Sequence, residues 1–127
     1  MLIVEDQTPM RAALREFLQS AYPASTILEA ADGVGALEQC RNHRPRVVLL
    51  DVELPDVNGI ELIARIRALL PQVAIVMVSQ HAGRAYVDRA RAAGAFGYVA
   101  KDVIHRELLP VVASALQGQS LPGEEKQ

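Results

Sequence analysis

The chain is poor in aromatic side chains and in cysteine: its 127 residues include no Trp, three Tyr, two Phe and one Cys. A single cysteine cannot form a disulfide within the chain. The scarcity of aromatic rings predicts a core built mostly from Val, Ile, Leu and Ala. The 13 basic residues are outnumbered by 15 acidic ones, so the chain lacks the positive excess that is typical of nucleic-acid binding.

The sequence also lacks long apolar segments. No run approaches the ~18 residues that are needed to cross a bilayer, and the amino terminus has no basic segment of the kind that opens a signal peptide. These features predict a cytoplasmic protein that does not contact the membrane.

Short apolar runs alternate with segments whose apolar residues recur at helical spacing. We predict strands at residues 2–4, 26–30, 46–50, 73–78 and 97–100. This alternation is typical of βαβ units with right-handed crossovers. The third run is apolar at four consecutive positions, as expected for a central strand that helices cover on both faces. The predicted fold is therefore a doubly wound α/β fold with a five-stranded parallel sheet, flavodoxin-like, in the order 2-1-3-4-5.

Proline and threonine predict where two of the helices begin. Thr8 is a suitable N-cap for the first helix, with Pro9 as its first residue. Gly94 is the expected C-cap of the fourth helix, and Gly59 is one of the turn formers before the third. Pro110 falls inside the last apolar-periodic segment, so we expect a kink there or a late helix start. From Gly118 onward the sequence is polar and rich in helix breakers. We therefore predict one domain over residues 1–118, followed by a polar tail or the start of a linker at 119–127.

Four of the predicted strands end next to residues that carry chemistry: Asp6, Asp51, Ser79 and Lys101. In a parallel sheet, ligands bind beyond the carboxyl ends of the strands, at the point where the strand order reverses. Taken singly, an Asp or Ser at a strand end usually caps a helix, and a Lys is usually solvated. The combination of all four indicates a site for a divalent cation and a phosphoryl group.

The acidic residues of this site predict a magnesium ion. Glu5 and Asp6 follow the first strand, and Asp51 follows the third, which is its neighbour in the predicted sheet. Two carboxylates about 4 Å apart repel each other by ~4 kcal/mol at an effective dielectric near 20. A hard cation such as Mg²⁺ relieves this repulsion and prefers oxygen ligands. None of the three histidines has the spacing of a zinc ligand.

The same residues could carry out phosphoryl transfer. An ionised carboxylate can attack a phosphoryl group and form an aspartyl phosphate, and Asp51 is our candidate nucleophile. Mg²⁺, the Lys101 ammonium and the Ser79 hydroxyl would then neutralise the oxygens of the transferred group.

From residue 2 to about residue 118, the sequence resembles the receiver domains of two-component response regulators. Glu5-Asp6 is similar to the metal-binding acidic pair of that family, Asp51 occupies the phospho-acceptor position, and Ser79 and Lys101 match its hydroxyl and lysine positions. The segment at residues 94–102 is most similar to receivers that are joined to a carboxy-terminal helix-turn-helix DNA-binding domain.

The resemblance implies a role in a phosphorelay. A sensor histidine kinase would phosphorylate Asp51 with Mg²⁺, which the backbone carbonyl of Glu53 would help to hold. Tyr98 would turn inward as Ser79 moves toward the phosphoryl group, and the face formed by helix 4, strand 5 and helix 5 would change. The domain would catalyse only its own phosphorylation and dephosphorylation, and would not be an enzyme otherwise.

The resemblance also implies partners. DNA contact would belong to an output domain that this sequence does not contain, and the receiver itself would touch no nucleic acid. A homodimer formed on phosphorylation is a further option. The chain is either a stand-alone receiver or one excised from a longer regulator, and its breaker-rich end favours excision.

Three features, at four positions, depart from the family pattern. Gln80 replaces a small residue beside the phosphate pocket, so we expect hindered access and slow phosphorylation. Asp102 replaces the common proline after the lysine, so we expect a trans Lys101-Asp102 bond. Glu53 and His81 lie two residues beyond the acceptor and the hydroxyl, and we predict that they alter the lifetime of the phosphate.

Three other functions use parts of the same pattern. A phosphatase of the Asp-x-Asp-x-Thr class would also form an aspartyl phosphate, but residues 51–55 lack the second Asp and the Thr. A flavodoxin-like module would share the fold, but the loop after the first strand is not a phosphate cradle. A receiver that acts as an interaction module without phosphorylation stays open because of Gln80, although the full set of site residues argues against it.

Overall fold

The computed structural model describes residues 1–81 and 83–118, which form an α/β domain around one parallel sheet. The strands are β1 (Leu2–Val4), β2 (Leu28–Ala30), β3 (Val47–Leu50), β4 (Ala74–Ser79) and β5 (Gly97–Ala100). They pair in parallel in the order β2-β1-β3-β4-β5. The predicted fold class, strand order and central position of β3 are confirmed.

Helices cover both faces of the sheet. They are α1 (Thr8–Ala21), α2 (Gly33–His43), α3 (Gly59–Leu69), α4 (Arg84–Ala93) and α5 (Ile104–Gln117), with a single 3-10 turn at Lys101–Val103 between β5 and α5. No helix in the described part of the chain is both long enough and apolar enough to cross a membrane.

The core consists of two apolar clusters, one on each face of the sheet. Alternate side chains of a strand point to opposite faces. Leu2 and Val4 of β1 therefore join the cluster beneath α2, α3 and α4, while Ile3 joins the cluster beneath α1 and α5. β3 is buried at every position, since it lies in the middle of the sheet. Cys40 is fully buried in the first cluster, and burial raises the pKa of its thiol to about 11.

The structure corrects two predictions about helix ends. The N-cap of α1 is Gln7 and not Thr8, which is already helical. The late helix start expected from Pro110 is wrong, because α5 begins at Ile104 and continues through the proline. The other expectation, a kink at Pro110, stays a prediction. Pro110 is exposed, and so is Arg106, whose carbonyl it deprives of a helical partner.

Two local predictions are confirmed. α4 ends at Gly94, which adopts a left-handed conformation with φ 110°. The Lys101-Asp102 peptide bond is trans, as are the others in the described residues. The predicted tail at residues 119–127 lies outside the described residues, so the domain boundary at Gly118 stays a prediction.

Candidate metal and phosphoryl site

Three carboxylates meet at the carboxyl ends of β1 and β3. Val4 is paired with Leu50 in the sheet, so the residues that follow them, Glu5 and Asp51, lie side by side. The backbone ladder continues one step further, because the Asp51 N–H donates to the Val4 carbonyl at 3.2 Å. Carboxylate oxygens of Glu5, Asp6 and Asp51 all lie within 4.8 Å of one another. The strand order thus gathers the acidic side chains as predicted.

Lys101 bridges two of these carboxylates. Its Nζ lies 2.9 Å from Glu5 Oε1 and 3.0 Å from Asp51 Oδ2. Both acidic residues are buried, and the Lys101 side chain is only 17% exposed. Burial raises the pKa of Glu5, against the opposing effect of its hydrogen bond to Lys101. Burial alone would lower the pKa of Lys101, but its bonds to Glu5 and Asp51 raise that pKa above the usual range.

Backbone N–H groups hold the remaining carboxylate oxygens. Glu5 Oε2 accepts a hydrogen bond from the Gln7 N–H at 3.1 Å, at the amino end of α1. Asp51 Oδ1 accepts one from the Glu53 N–H at 3.3 Å. The Asp6 side chain, by contrast, is exposed. The two inner carboxylates are therefore fixed on several sides, and Asp6 faces solvent at the edge of the site.

A glycine allows α3 to begin against the backbone of Asp51. A Cβ on Gly59 would lie 1.9 Å from the Asp51 carbonyl oxygen. The Gly59 N–H donates to the Val52 carbonyl at 2.6 Å, which closes the loop after β3. Sequence reasoning treated Gly59 only as a turn former. Its position directly before the apolar stripe of α3 was the signal that a close backbone approach is needed there.

Ser79 supplies a hydroxyl at the end of β4. It is fully buried and is paired in the sheet with Ala100, the residue before Lys101. Its Oγ accepts a hydrogen bond from the His81 N–H at 3.0 Å. The sheet thus brings Ser79 and Lys101 to the same edge as the acidic residues.

Glu53 joins the loop after β3 to the loop after β4. Gln80 Nε2 donates to Glu53 Oε1 at 3.4 Å, and His81 Nε2 lies 2.9 Å from Glu53 Oε2. The second contact has the geometry of an ion pair and not of an aligned hydrogen bond. It lowers the pKa of Glu53 more than any other contact does. We call these three side chains the Glu53 strap.

Tyr98 is half-buried on the edge strand β5, and its hydroxyl donates to the backbone carbonyl of His81. Its ring packs against the core cluster beneath α2, α3 and α4. The His81 ring stacks on Tyr86 of α4, with 4.7 Å between the ring centroids and 16° between the ring planes. His81 therefore contacts the acceptor loop, β5 and α4 at once.

The site opens into a cleft of about 570 Å³. The residues that line it are Asp6, Gln7, Met10, Glu53, Gln80, Lys101 and Asp102. Gln80 is therefore at the entrance, where its predicted effect on access would operate. Among the described residues, the side chains that converge as metal ligands are all carboxylates. This oxygen-only donor set suits a hard cation such as Mg²⁺ and does not suit zinc.

Fold and site together define a doubly wound α/β domain with an acidic site at the switch point between β1 and β3. The profile of the response regulator receiver domain family matches residues 1–113, so the chain belongs to that family of two-component phosphorelay signalling domains. The predicted family is confirmed.

The relatives of the chain include transcription regulators. It is 32% identical over 120 residues to the transcriptional activator protein ExaE of Pseudomonas putida, an alignment that covers 94% of this chain and 56% of ExaE. It is similar to the response regulator UvrY of Escherichia coli, with 29% identity over 94% of this chain and 55% of UvrY. The chain thus spans about half the length of the curated relatives it matches.

A solved structure is similar across most of the fold. The crystal structure of a LuxR-family two-component response regulator from Aurantimonas superposes with a TM-score of 0.83 at 30% identity. The match covers 94% of this chain and 85% of that one. The likeness therefore extends over the sheet and the helices that carry the site.

Proposed function

We propose that Asp51 accepts a phosphoryl group from a sensor histidine kinase with the help of Mg²⁺. The observation that carries this proposal is the convergence of Glu5, Asp6 and Asp51 within 4.8 Å, with Lys101 bound between two of them. This arrangement concentrates negative charge at one point and places the Lys101 ammonium directly beside it. It is suited to a reaction in which a second cation and a phosphoryl group enter together.

Magnesium would be held by the side chains of Glu5, Asp6 and Asp51 and by the backbone carbonyl of Glu53. When bound, Mg²⁺ offsets the repulsion among the carboxylates and the charge of the incoming phosphoryl oxygens. Asp6 suits an entering ion best, because its carboxylate is exposed while those of Glu5 and Asp51 already accept hydrogen bonds.

In the transfer step, one carboxylate oxygen of Asp51 forms a bond to phosphorus. The bond from phosphorus to the kinase histidine nitrogen breaks, and the imidazole keeps the electron pair. The product is an aspartyl phosphate, an acyl phosphate that water can later hydrolyse. The Lys101 ammonium, 3.0 Å from Asp51 Oδ2, is close enough to donate a charge-assisted hydrogen bond to the transferred phosphoryl oxygens.

Ser79 is prepared to donate a hydrogen bond. Its Oγ accepts from the His81 N–H, and its own proton would turn from the neighbouring Tyr98 hydroxyl to a phosphoryl oxygen. A movement of Ser79 toward the phosphate would loosen its contact with His81. Because the Tyr98 hydroxyl donates to the His81 carbonyl, that change would reach β5. We therefore assign the switch to Ser79 and Tyr98, and the responding surface to α4, β5 and α5.

Such a switch needs about 5 kcal/mol of differential stabilisation to move the domain from mostly inactive to mostly active. Charge-assisted hydrogen bonds from the phosphoryl group to Lys101 and Ser79 can supply energy of that order.

The partners follow from this role. The domain would act in the cytoplasm, receive its phosphoryl group from a histidine kinase and control an output domain that binds DNA, with dimerisation as one means of control. The receiver would catalyse only its own phosphorylation and dephosphorylation. The alternative, an interaction module that works without phosphorylation, is not favoured, because Lys101 binds Glu5 and Asp51 at the same edge of the sheet as Ser79.

The proposal is tested by incubating the chain with Mg²⁺ and acetyl phosphate and measuring the intact mass. We expect the mass of one phosphoryl group to be added to the wild type, and no addition to Asp51→Asn or in the presence of EDTA. Asp102→Asn is the matched control, because it removes an exposed carboxylate from the same cleft and should still be phosphorylated. An unmodified wild type, or a modified Asp51→Asn, would contradict the proposal.

A further inference from the structure

Arg11, near the start of α1, binds the backbone just behind the acidic pair. Its Nη1 donates to the backbone carbonyl of Glu5 at 2.7 Å. Its Nε donates to Glu29 Oε1 of β2 at 3.0 Å, and the side chain is 18% exposed. The guanidinium thus joins α1, the end of β1 and the edge strand β2. Sequence reasoning did not single out this residue.

The carbonyl of Glu5, the residue directly after β1, has no backbone partner in the sheet. The Glu5 N–H still donates to the Ala30 carbonyl at 3.0 Å, but among the described residues no backbone N–H donates to the Glu5 carbonyl. Arg11 supplies that hydrogen bond instead. Since this carbonyl belongs to the Glu5-Asp6 peptide, Arg11 fixes the plane from which the Asp6 side chain departs.

Asp6 depends on that plane more than its neighbours do. The carboxylates of Glu5 and Asp51 are held by Lys101 and by backbone N–H groups. The Asp6 carboxylate is exposed and makes no hydrogen bond to another described residue. Its direction toward the cation site is therefore set mainly by the backbone.

The charge of Arg11 is compensated where it stands. A cation beside a metal site would repel the ion, but Glu29 pairs with Arg11 through its Nε at 3.0 Å and offsets that charge. Glu29 Oε2 also accepts a hydrogen bond from Arg15 Nη1 at 2.8 Å. Arg15 shares the acidic partner of Arg11 but donates to the Ile27 carbonyl and not to Glu5. The two arginines therefore differ in the one contact that reaches the acidic pair.

We infer that Arg11 is a positioning residue for cation binding, which it promotes by holding the Glu5-Asp6 peptide so that the Asp6 carboxylate stays directed at the ion. This inference rests on the proposed function. Residues that orient metal ligands without touching the metal typically contribute 10- to 100-fold to metal affinity. Lysine does not reproduce this contact, because Arg11 binds Glu29 and the Glu5 carbonyl through two separate nitrogens of a planar guanidinium, whereas a lysine ammonium is one compact group.

The test compares Arg11→Lys with Arg15→Lys, which keeps the same charge and loses a contact to the same Glu29. Mg²⁺ affinity is measured by isothermal titration calorimetry, and the unfolding free energy is measured in EDTA. We expect Arg11→Lys to raise the Mg²⁺ dissociation constant about tenfold and Arg15→Lys to change it by less than about twofold. With acetyl phosphate, Arg11→Lys should need more Mg²⁺ but reach a maximal rate close to that of the wild type at saturation.

The outcomes separate this inference from the function on which it rests. If the wild type binds Mg²⁺ and Arg11→Lys binds it equally well, the inference is wrong and the proposed function stands. Equal losses in the two variants, in proportion to lost stability, would reduce Arg11 to a structural role. A wild type that does not bind Mg²⁺ would overturn both. Should Arg11→Lys not fold, Glu29→Met, which removes the acceptor of Arg11 Nε, is expected to weaken Mg²⁺ binding in the same direction.

Discussion

The interior of this domain has two regions of opposite character, the apolar core on both faces of the sheet and the polar pocket at its carboxyl edge. Among residues 1–81 and 83–118, thirty hydrophobic positions are buried across the two faces. The buried polar or charged residues within the described chain are Glu5, Asp51 and Ser79, and all three lie in the pocket. Buried polarity is thus confined to one edge of the sheet.

This difference separates the source of stability from the source of function. Burial of each core side chain stabilises the fold, and the close packing of the core makes it sensitive to changes in side-chain volume. The pocket holds carboxylates that repel each other and depend on Lys101 for compensation. We therefore expect core substitutions to change stability without changing ligand binding, and pocket substitutions to couple the two.

The largest effect is expected from a core truncation. Ile66 of α3 is fully buried, so Ile66→Ala should lower the free energy of unfolding by about 4 kcal/mol, through lost burial and a cavity. Urea unfolding measures this loss, and the Mg²⁺ affinity of the folded protein should not change. Val34→Ala is the control, because Val34 is 68% exposed and its truncation should cost less than about 0.5 kcal/mol. An equal loss in both variants would contradict the separation.

Removing Lys101 should destabilise the domain by a different mechanism. Lys101→Met leaves Glu5 and Asp51 buried without their common cation, and we expect the free energy of unfolding in EDTA to fall by about 3 kcal/mol. Mg²⁺ should restore part of this loss, since it supplies positive charge at the same point. Arg106→Met, which breaks an exposed ion pair, should have an effect below about 1 kcal/mol. A loss that Mg²⁺ leaves unchanged would show that the charges are not coupled.

The core also predicts a dependence on alkaline pH. Burial raises the pKa of Cys40 from 9.0 to about 11, so the folded protein keeps the thiol proton at a pH where the unfolded chain releases it. The protonated thiol therefore contributes fully to the free energy of unfolding below pH 9.0, and this contribution is lost as the pH rises toward 11. The loss between about pH 8 and pH 10 is about 1 kcal/mol. Urea unfolding at about pH 8 and about pH 10 should show that the free energy of unfolding falls less in Cys40→Ala than in the wild type. Parallel pH profiles of the two proteins would refute the assignment.

The smallest effect concerns the Glu53 strap at the rim of the pocket. Replacing both Glu53 and His81 by Ala removes the side-chain contacts between the loops after β3 and β4, and should admit water to the aspartyl phosphate. We expect faster hydrolysis, on the order of threefold, which is less than 1 kcal/mol of activation free energy. Decay is followed by intact mass after the phosphodonor is removed. Asp102→Ala serves as the control at the other side of the cleft, and decay of the double variant at the wild-type rate would contradict the prediction.

Much of the fold could be predicted because its signals are local. The run of apolar residues at 47–50 indicated a central strand, and Gly94 indicated the end of α4. Two local signals misled. Thr8 has the chemistry of an N-cap, but Gln7 takes that position, where its N–H is bound by Glu5. Pro110 suggested a kink or a late helix start, yet α5 begins six residues before it, and Pro110 lies on the exposed side of the helix, where water can replace a lost hydrogen bond.

The candidate site could be predicted as a set of residues but not as a set of contacts. Lys101 and Asp51 are 50 positions apart, and only the pairing of β3, β4 and β5 brings them within 3.0 Å. Gln80, His81 and Glu53 were singled out one by one, but the contacts that join them in the Glu53 strap carry no sequence signal. Neither does the ion pair between Arg11 and Glu29. Each joins two loops or elements whose separation depends on how the helices pack.

The sequence by itself determined the alternation of strands and helices and the placement of acidic, hydroxyl and amino groups at strand ends, because these follow from patterns that span a few residues. The tertiary structure decided that one lysine serves two carboxylates, that Gly59 lies against the Asp51 carbonyl and that Arg11 binds the peptide behind Asp6. These contacts depend on register and packing between distant segments, where a displacement of about 1 Å decides whether a hydrogen bond forms.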